Sequence, residues 1–236
     1  ASCRQPEPMN GGSKAFSAFG KIFETGAPQL ISRELIADTQ TPVSAYLKLA
    51  AGTPNSFLLE SVEGGEVRGR FSVIRLAPDL IWRCRGQLAE INRDPAKSDD
   101  FDVVDDNPIE SLRALMAESA MQDTGGLPPM AAGLFGYFGY DMIRQIETIP
   151  DSTETVIDTP DSMLLRPSLI AIFDRLRDSI TLVTQIRPAD WDDADGAWNV
   201  AQSRFSNGML ALEAPTPRTE AGGDDAVLPA PQSNMT

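Results

Sequence analysis

The sequence predicts an α+β fold, a mostly antiparallel sheet with packed helices. Three observations lead there. β-rich runs come in pairs around short turns, in "SFLLESVEGGEVRGRFSVIRLAPD" (56–79) and in Ser168–Asp174 with Ser179–Ile186 around "RLRD". Helical patterns fall between them irregularly, without the strand–helix alternation of a doubly wound parallel sheet. Apolar residues make up 42% of 236, enough for a real core in one domain or at most two.

The elements follow in chain order. Residues 1–15 are expected to be a disordered N-terminal extension, with Met9 as a plausible true start and no apolar run fit for a secretion signal. Thr41-Pro42 opens a helix, a threonine cap before a proline in the first turn. Val43, Tyr46, Leu47 and Ala50 continue it at helical spacing, and Gly52-Thr53-Pro54 stops it. After the first hairpin, Leu80–Cys84 and Leu88–Asn92 are strand candidates. Asp94–Asp106 holds six aspartates and few hydrophobes and reads as a loop; a metal site is the sharper alternative, though the spacing does not match a calcium loop. Asn107-Pro108-Ile109-Glu110 is a helix entry with Glu110 at the capping-box position. Ile109, Leu112, Leu115 and Met116 form its apolar face, and it ends before Gly125-Gly126.

Met130–Gly139, "MAAGLFGYFG", reads as a buried strand whose Gly133, Gly136 and Gly139 let another backbone or a helix approach closely. The spacing of a phosphate-binding loop is missing. Tyr140–Glu147 reads as helical, and Asp151–Asp161 as a long loop. A last helix starts near Asp193 and carries the stripe Trp198, Ala201, Phe205, Met209 and Leu212. Acids before its N-terminus suit the helix dipole. Residues 214–236 have the proline- and glycine-rich composition of a linker, which leaves 16–213 as the folded domain.

Composition narrows function. Thirty-four acidic against 20 basic residues give a net charge of −14, which argues against nucleic acid and anionic membrane surfaces. Two cysteines, Cys3 and Cys84, make neither a disulfide framework nor a metal cluster, and suit a reducing cytoplasm. No apolar run approaches a membrane span. The chain has no histidine, which removes the commonest general base and metal ligand. Bond-breaking chemistry is therefore expected elsewhere: no catalytic and no metal-ligating residue is assigned here.

The richest polar cluster is the first hairpin. Alternation puts Phe57, Leu59 and Ser61 on one face and Leu58 and Glu60 on the other, while Arg68, Arg70 and Ser72 share a face of the return strand. A carboxylate, a hydroxyl and a guanidinium together can recognise a zwitterion such as an amino acid. The plain alternative is a surface ion pair between Glu60 and an arginine.

These residues also carry a resemblance. "FLLESVEGGEVRGRFSVIRLAPD" is similar to the signature of anthranilate synthase component I, where an L-L-E-S segment precedes an R-[FY]-S strand. "TPVSAYLKLA", "AAGLFGYFGYDMIRQIETIP", "PDSMLLRPSLIAIFD" and the final "SNMT" resemble further family segments in order, from about Phe16 to Thr236. "FDR" (173–175) stands where relatives often have F-D-H, and is taken as a surface change.

The resemblance implies the N-terminal half of the family's α/β sandwich, a regulatory part that leads into a missing catalytic half. That other half would bind chorismate and Mg²⁺, and a glutamine amidotransferase subunit would supply ammonia. It implies that Leu59, Glu60, Ser61 and, through the R-F-S strand, Arg70 form part of a feedback site for L-tryptophan. It implies no turnover by this chain alone. Aminodeoxychorismate synthase component I and a stand-alone amino-acid-binding module remain the alternatives.

Overall fold

The computed structural model describes residues 11–50, 52–63, 67–121, 123–150 and 158–217, without the side chains of 11–13, 61–63, 67 and 68. The chain runs through α1 (Gly11–Phe23), β1 (Gln29–Ile36), α2 (Pro42–Leu49), β2 (Phe57–Glu63), β3 (Val67–Arg85), β4 (Leu88–Asn92) and β5 (Asp102–Val104). It continues through α3 (Pro108–Ser119), β6 (Phe135–Phe138), β7 (Ser162–Asp174), β8 (Ser179–Ile186) and α4 (Ala194–Glu213). Short 3-10 turns lie at Pro129–Ala131, Tyr140–Gln145 and Pro188–Asp190.

The helix starts obey local hydrogen-bond chemistry. Thr41 and Ser44 bond each other's backbone in a reciprocal cap. Asn107 accepts from the amides of Ile109 and Glu110, while Glu110 itself pairs with Arg113 rather than reaching back to the cap. Asp193 caps α4 by accepting from Gly196 N at 2.7 Å.

Two long strands carry one antiparallel sheet of eight. β3 and β7 pair from Phe71↔Asp174 to Cys84↔Ser162. Their outer neighbours change halfway: β2 then β4 along β3, and β6 then β8 along β7, with β5 beyond β4 and β1 beyond β8. The change coincides with a bulge, where the β3–β7 register shifts between Pro78 and Leu80 and Ala77 takes φ 45°.

The extra residue moves the even-numbered side chains of β3 to the other face. Ile74 and Leu76 pack with Leu169, Ala171 and Phe173 under α2 and α4. Leu80, Trp82 and Cys84 pack with Leu164 under Leu115 of α3. A third cluster buries Val73, Ile170, Ile172 and Val183 beneath Leu127, Met130 and Ala131, and Phe16, Phe19 and Phe23 of α1 close against Trp198 of α4.

Several sequence expectations change here. Leu80–Cys84 is no separate strand but the far end of β3. β5 lies inside the aspartate-rich segment expected as a loop, because its backbone adds to the edge of β4. β7 begins at Ser162, well before Ser168. Met130–Gly139 holds a 3-10 turn and an edge strand, with Phe138 58% exposed, not a buried strand. The glycine reading holds at two of the three positions, where a Cβ on Gly136 would stand 1.8 Å from Met163 O and one on Gly139 2.6 Å from Asp161 O; at Gly133 no other backbone comes within 4 Å, and the residue takes φ 114°. Tyr140–Gln145 is 3-10 rather than α-helical. α1 opens at Gly11, ahead of the boundary drawn at residue 16. Residues 1–10, 151–157 and 218–236 lie outside the described residues, so the linker is described only over 214–217.

Candidate functional site: the charged mouth of the β2–β3 hairpin

Register sets this site. Glu60 of β2 faces Ser72 of β3, and Leu59 faces Val73. Arg175 is the first residue after β7, and its backbone amide donates to Arg70 O at 3.0 Å. That contact swings its guanidinium over the hairpin. Arg175 Nη2 donates to Glu60 Oε1 at 2.9 Å and to Ser72 Oγ at 3.2 Å. The Ser72 hydroxyl is fully buried, while the Glu60 side chain keeps 38% exposure. Carboxylate and guanidinium thus stand side by side above a buried hydroxyl, while Leu59, half exposed, pairs with Val73 and points to the opposite face of the sheet.

Arg70 goes elsewhere. Alternation sets it on the Ser72 side, yet its guanidinium lies 4.7 Å from the Phe71 ring centroid and grips Asp174 through two bonds of 2.9 and 2.6 Å. Asp174 is the register partner of Phe71. The Arg70 hydrogen bond, with the amides of Leu176 and Arg177, holds the Asp174 carboxyl below the usual carboxylate range against the opposing effect of burial. The same bond raises the Arg70 pKa. Behind the pair opens a cavity of about 400 Å³, walled by Arg70, Asp174, Phe71, Leu127, Ile172 and Arg177.

Of the four residues expected at the site, the structure sets Glu60 against Arg175 and turns Leu59 to the opposite face of β2. Ser61 lies next to Glu60 in β2, with its side chain outside the described set. Arg70 is drawn to Asp174. Arg175 was missed: expected as a surface change, it is the arginine that meets Glu60, with its side chain only 25% exposed. The signal that could have found it is the turn position directly after a strand paired to β3.

The Cys84 thiol is buried, and burial pushes its pKa up to about 11. Among the described residues no group of three or more His, Cys, Asp or Glu could hold a metal ion, and no helix is long and apolar enough to cross a membrane.

Fold and site together define an α+β sheet domain that presents a charged hairpin mouth. Known proteins narrow this further. Component 1 of anthranilate synthase from Cereibacter sphaeroides is 40% identical over 224 residues, covering 94% of this chain and 45% of that protein. The Pseudomonas putida component 1 is 34% identical over 86% of this chain and 41% of its own length. The Mycobacterium tuberculosis H37Rv protein is 33% identical over 81% and 37%. A crystal structure of anthranilate synthase component I from Streptococcus pneumoniae shares the fold, with TM-score 0.50 and 22% identity over 77% of this chain and 37% of that one. No family model matches. The chain is homologous to anthranilate synthase component 1 over nearly its whole length, and spans less than half the length of these relatives.

Proposed function

We propose that this chain is the effector-binding, N-terminal part of an anthranilate synthase component I acting in the cytoplasm. The complete enzyme would convert chorismate, with ammonia from a glutamine amidotransferase partner, to anthranilate and pyruvate, a lyase reaction in tryptophan biosynthesis. The observation that carries this reading is the 40% identity spread over 94% of the chain. The Glu60–Arg175 pair gives it local chemistry. Glu60 can accept from the ammonium of L-tryptophan and Arg175 can donate to its carboxylate. Ser61, beside Glu60, would add a hydroxyl.

Arg175 takes the part first expected of Arg70. Arg70, held by Asp174, would act as a positioning residue, because Arg175 N is hydrogen-bonded to the Arg70 carbonyl. Feedback then follows from differential affinity: tryptophan that binds one arrangement of the enzyme better biases the population toward it. Mg²⁺ is expected of the complete enzyme. The described residues offer no set of ligands for it, so no step is routed through the ion.

The test is calorimetry of the intact protein with L-tryptophan. Saturable binding is expected, weakened by Ser61→Ala and by about tenfold in Arg175→Ala, the loss of one charge-assisted bond. Absence of binding, or full affinity in Arg175→Ala, refutes the site. For the chain alone, chorismate with Mg²⁺ and ammonium is expected to yield no anthranilate fluorescence.

A further inference from the structure

The β3 bulge opens a second polar cleft. Two cavities of about 430 and about 290 Å³ meet there, both walled by Asp79, Arg93 and Arg204, and Glu60, Ser72 and Arg175 line neither. Arg166, 4% exposed, donates to Asp79 at 2.6 Å and Glu118 at 2.9 Å, and stands 3.9 Å from Asp190. Arg93 grips Glu118 through bonds of 2.9 and 3.0 Å. Arg187, buried behind them, donates to Ser119 O and Gln185 Oε1 and lies in the field of the same three carboxylates.

Arg93, Arg166 and Arg187 thus stand among Asp79, Glu118 and Asp190, and Arg204 is the fourth guanidinium of the cluster, within the field of Asp79. Its Nη1 donates to Thr184 Oγ1 at 2.9 Å, and it forms no ion pair with a described carboxylate. Gln185 supplies a second unmet donor. It is 3% exposed and lines the smaller cavity, its Oε1 is taken by Arg187, and its Nε2 has no partner among the described residues. Trp191 forms a further wall.

Half-buried cations and buried amides without partners are costly. This chain carries a net charge of −14, and still Arg204 forms no direct ion pair with a described carboxylate and has only the field of Asp79. We propose that the cleft binds a small metabolite through a carboxylate, received by Arg204 and the Gln185 amide beside Trp191. The smaller cavity matches the low end of ligand pockets, about 300 Å³. Asp79 and Asp190 on its wall limit the ligand to a single negative charge, since a second would meet like charge. This site goes beyond the tryptophan reading and shares no residue with it.

The experiment is calorimetry of the intact protein with sodium acetate, at ionic strength held constant with chloride, beside acetamide as the neutral isostere. Saturable acetate binding is expected, with none for acetamide. Arg204→Gln should lower acetate affinity about tenfold. Asp190→Asn should raise it, since a repelling charge is removed, a sign that a purely structural role does not produce. Equal behaviour of acetate and acetamide, full affinity in Arg204→Gln, or weaker binding in Asp190→Asn each overturns the proposal.

Discussion

Replacing Arg75 by methionine should stabilise the protein at neutral pH. The Arg75 side chain is buried among apolar neighbours with 1% exposure, facing the ring of Phe135 at 3.3 Å from its centroid. Nη2 donates to Met130 O, whereas Nε and Nη1 have no partner among the described residues. Burial lowers the guanidinium pKa far below the ordinary arginine range, to about 9. That drop corresponds to about 5 kcal/mol against the charged form. On the other side stand the bond to Met130 O, about 2 kcal/mol, and the ring contact, about 2 kcal/mol. The balance favours an apolar side chain of similar length by about 1 kcal/mol.

The pH dependence follows from the sign of the shift. The folded pKa lies below the unfolded one, so from about 9 up to the ordinary arginine range the unfolded state binds more protons at this group. Wild-type stability therefore rises with pH in that window relative to Arg75→Met, at up to about 1.4 kcal/mol per pH unit. Chemical denaturation of both proteins at pH 7.5 and pH 10 reads the difference, with shared titrations cancelling. The methionine variant should lead at pH 7.5 and lose its lead at pH 10. A loss of about 3 kcal/mol at pH 7.5 would mean that an anion pairs with Arg75, and the reasoning would fail.

Other perturbations test the frame around the site. Trp82→Phe removes the 2.9 Å bond from Nε1 to Ser111 Oγ and leaves a void at a fully buried position, so denaturation should report a loss of about 3 kcal/mol. Gly136→Ala drives a methyl group into the Met163 carbonyl and should cost about 2 kcal/mol or more, with amide exchange accelerated along Phe135–Phe138. Asn107→Ala strips two amide partners from the start of α3 and should cost about 1 kcal/mol in the same denaturation assay.

Much of the frame was legible because it rests on short-range chemistry. The caps at Thr41, Asn107 and Asp193 each bond an amide two or three residues away, and each marked its helix in the sequence. The runs that became β2, β8 and most of β7 were visible as β-branched and aromatic clusters. Boundaries failed where pairing extends a strand beyond its own propensity. Ser162–Pro167 joins β7 because β3 and β6 offer it two partners, and Asp102–Val104 is a strand only beside β4. The exposed face of Phe138 was illegible, since a glycine-aromatic run has the same composition at an edge as in a core.

By itself the sequence determined the fold class, the hairpin that carries Leu59, Glu60 and Ser61, and its likeness to anthranilate synthase component I. Tertiary structure alone decided which arginine serves that hairpin. Glu60 and Arg175 stand 115 positions apart, and Arg70 and Asp174 stand 104 apart. Both arginines are within reach of a carboxylate, and the β3–β7 register assigns each to its own. Likewise the bulge at Ala77–Asp79 turns β3 over between its two halves, so alternation read along the strand could not say which face Leu80 and Trp82 would bury. Caps and periodicity are settled by neighbours in sequence; ion-pair partners and strand faces are settled by neighbours that only pairing brings together.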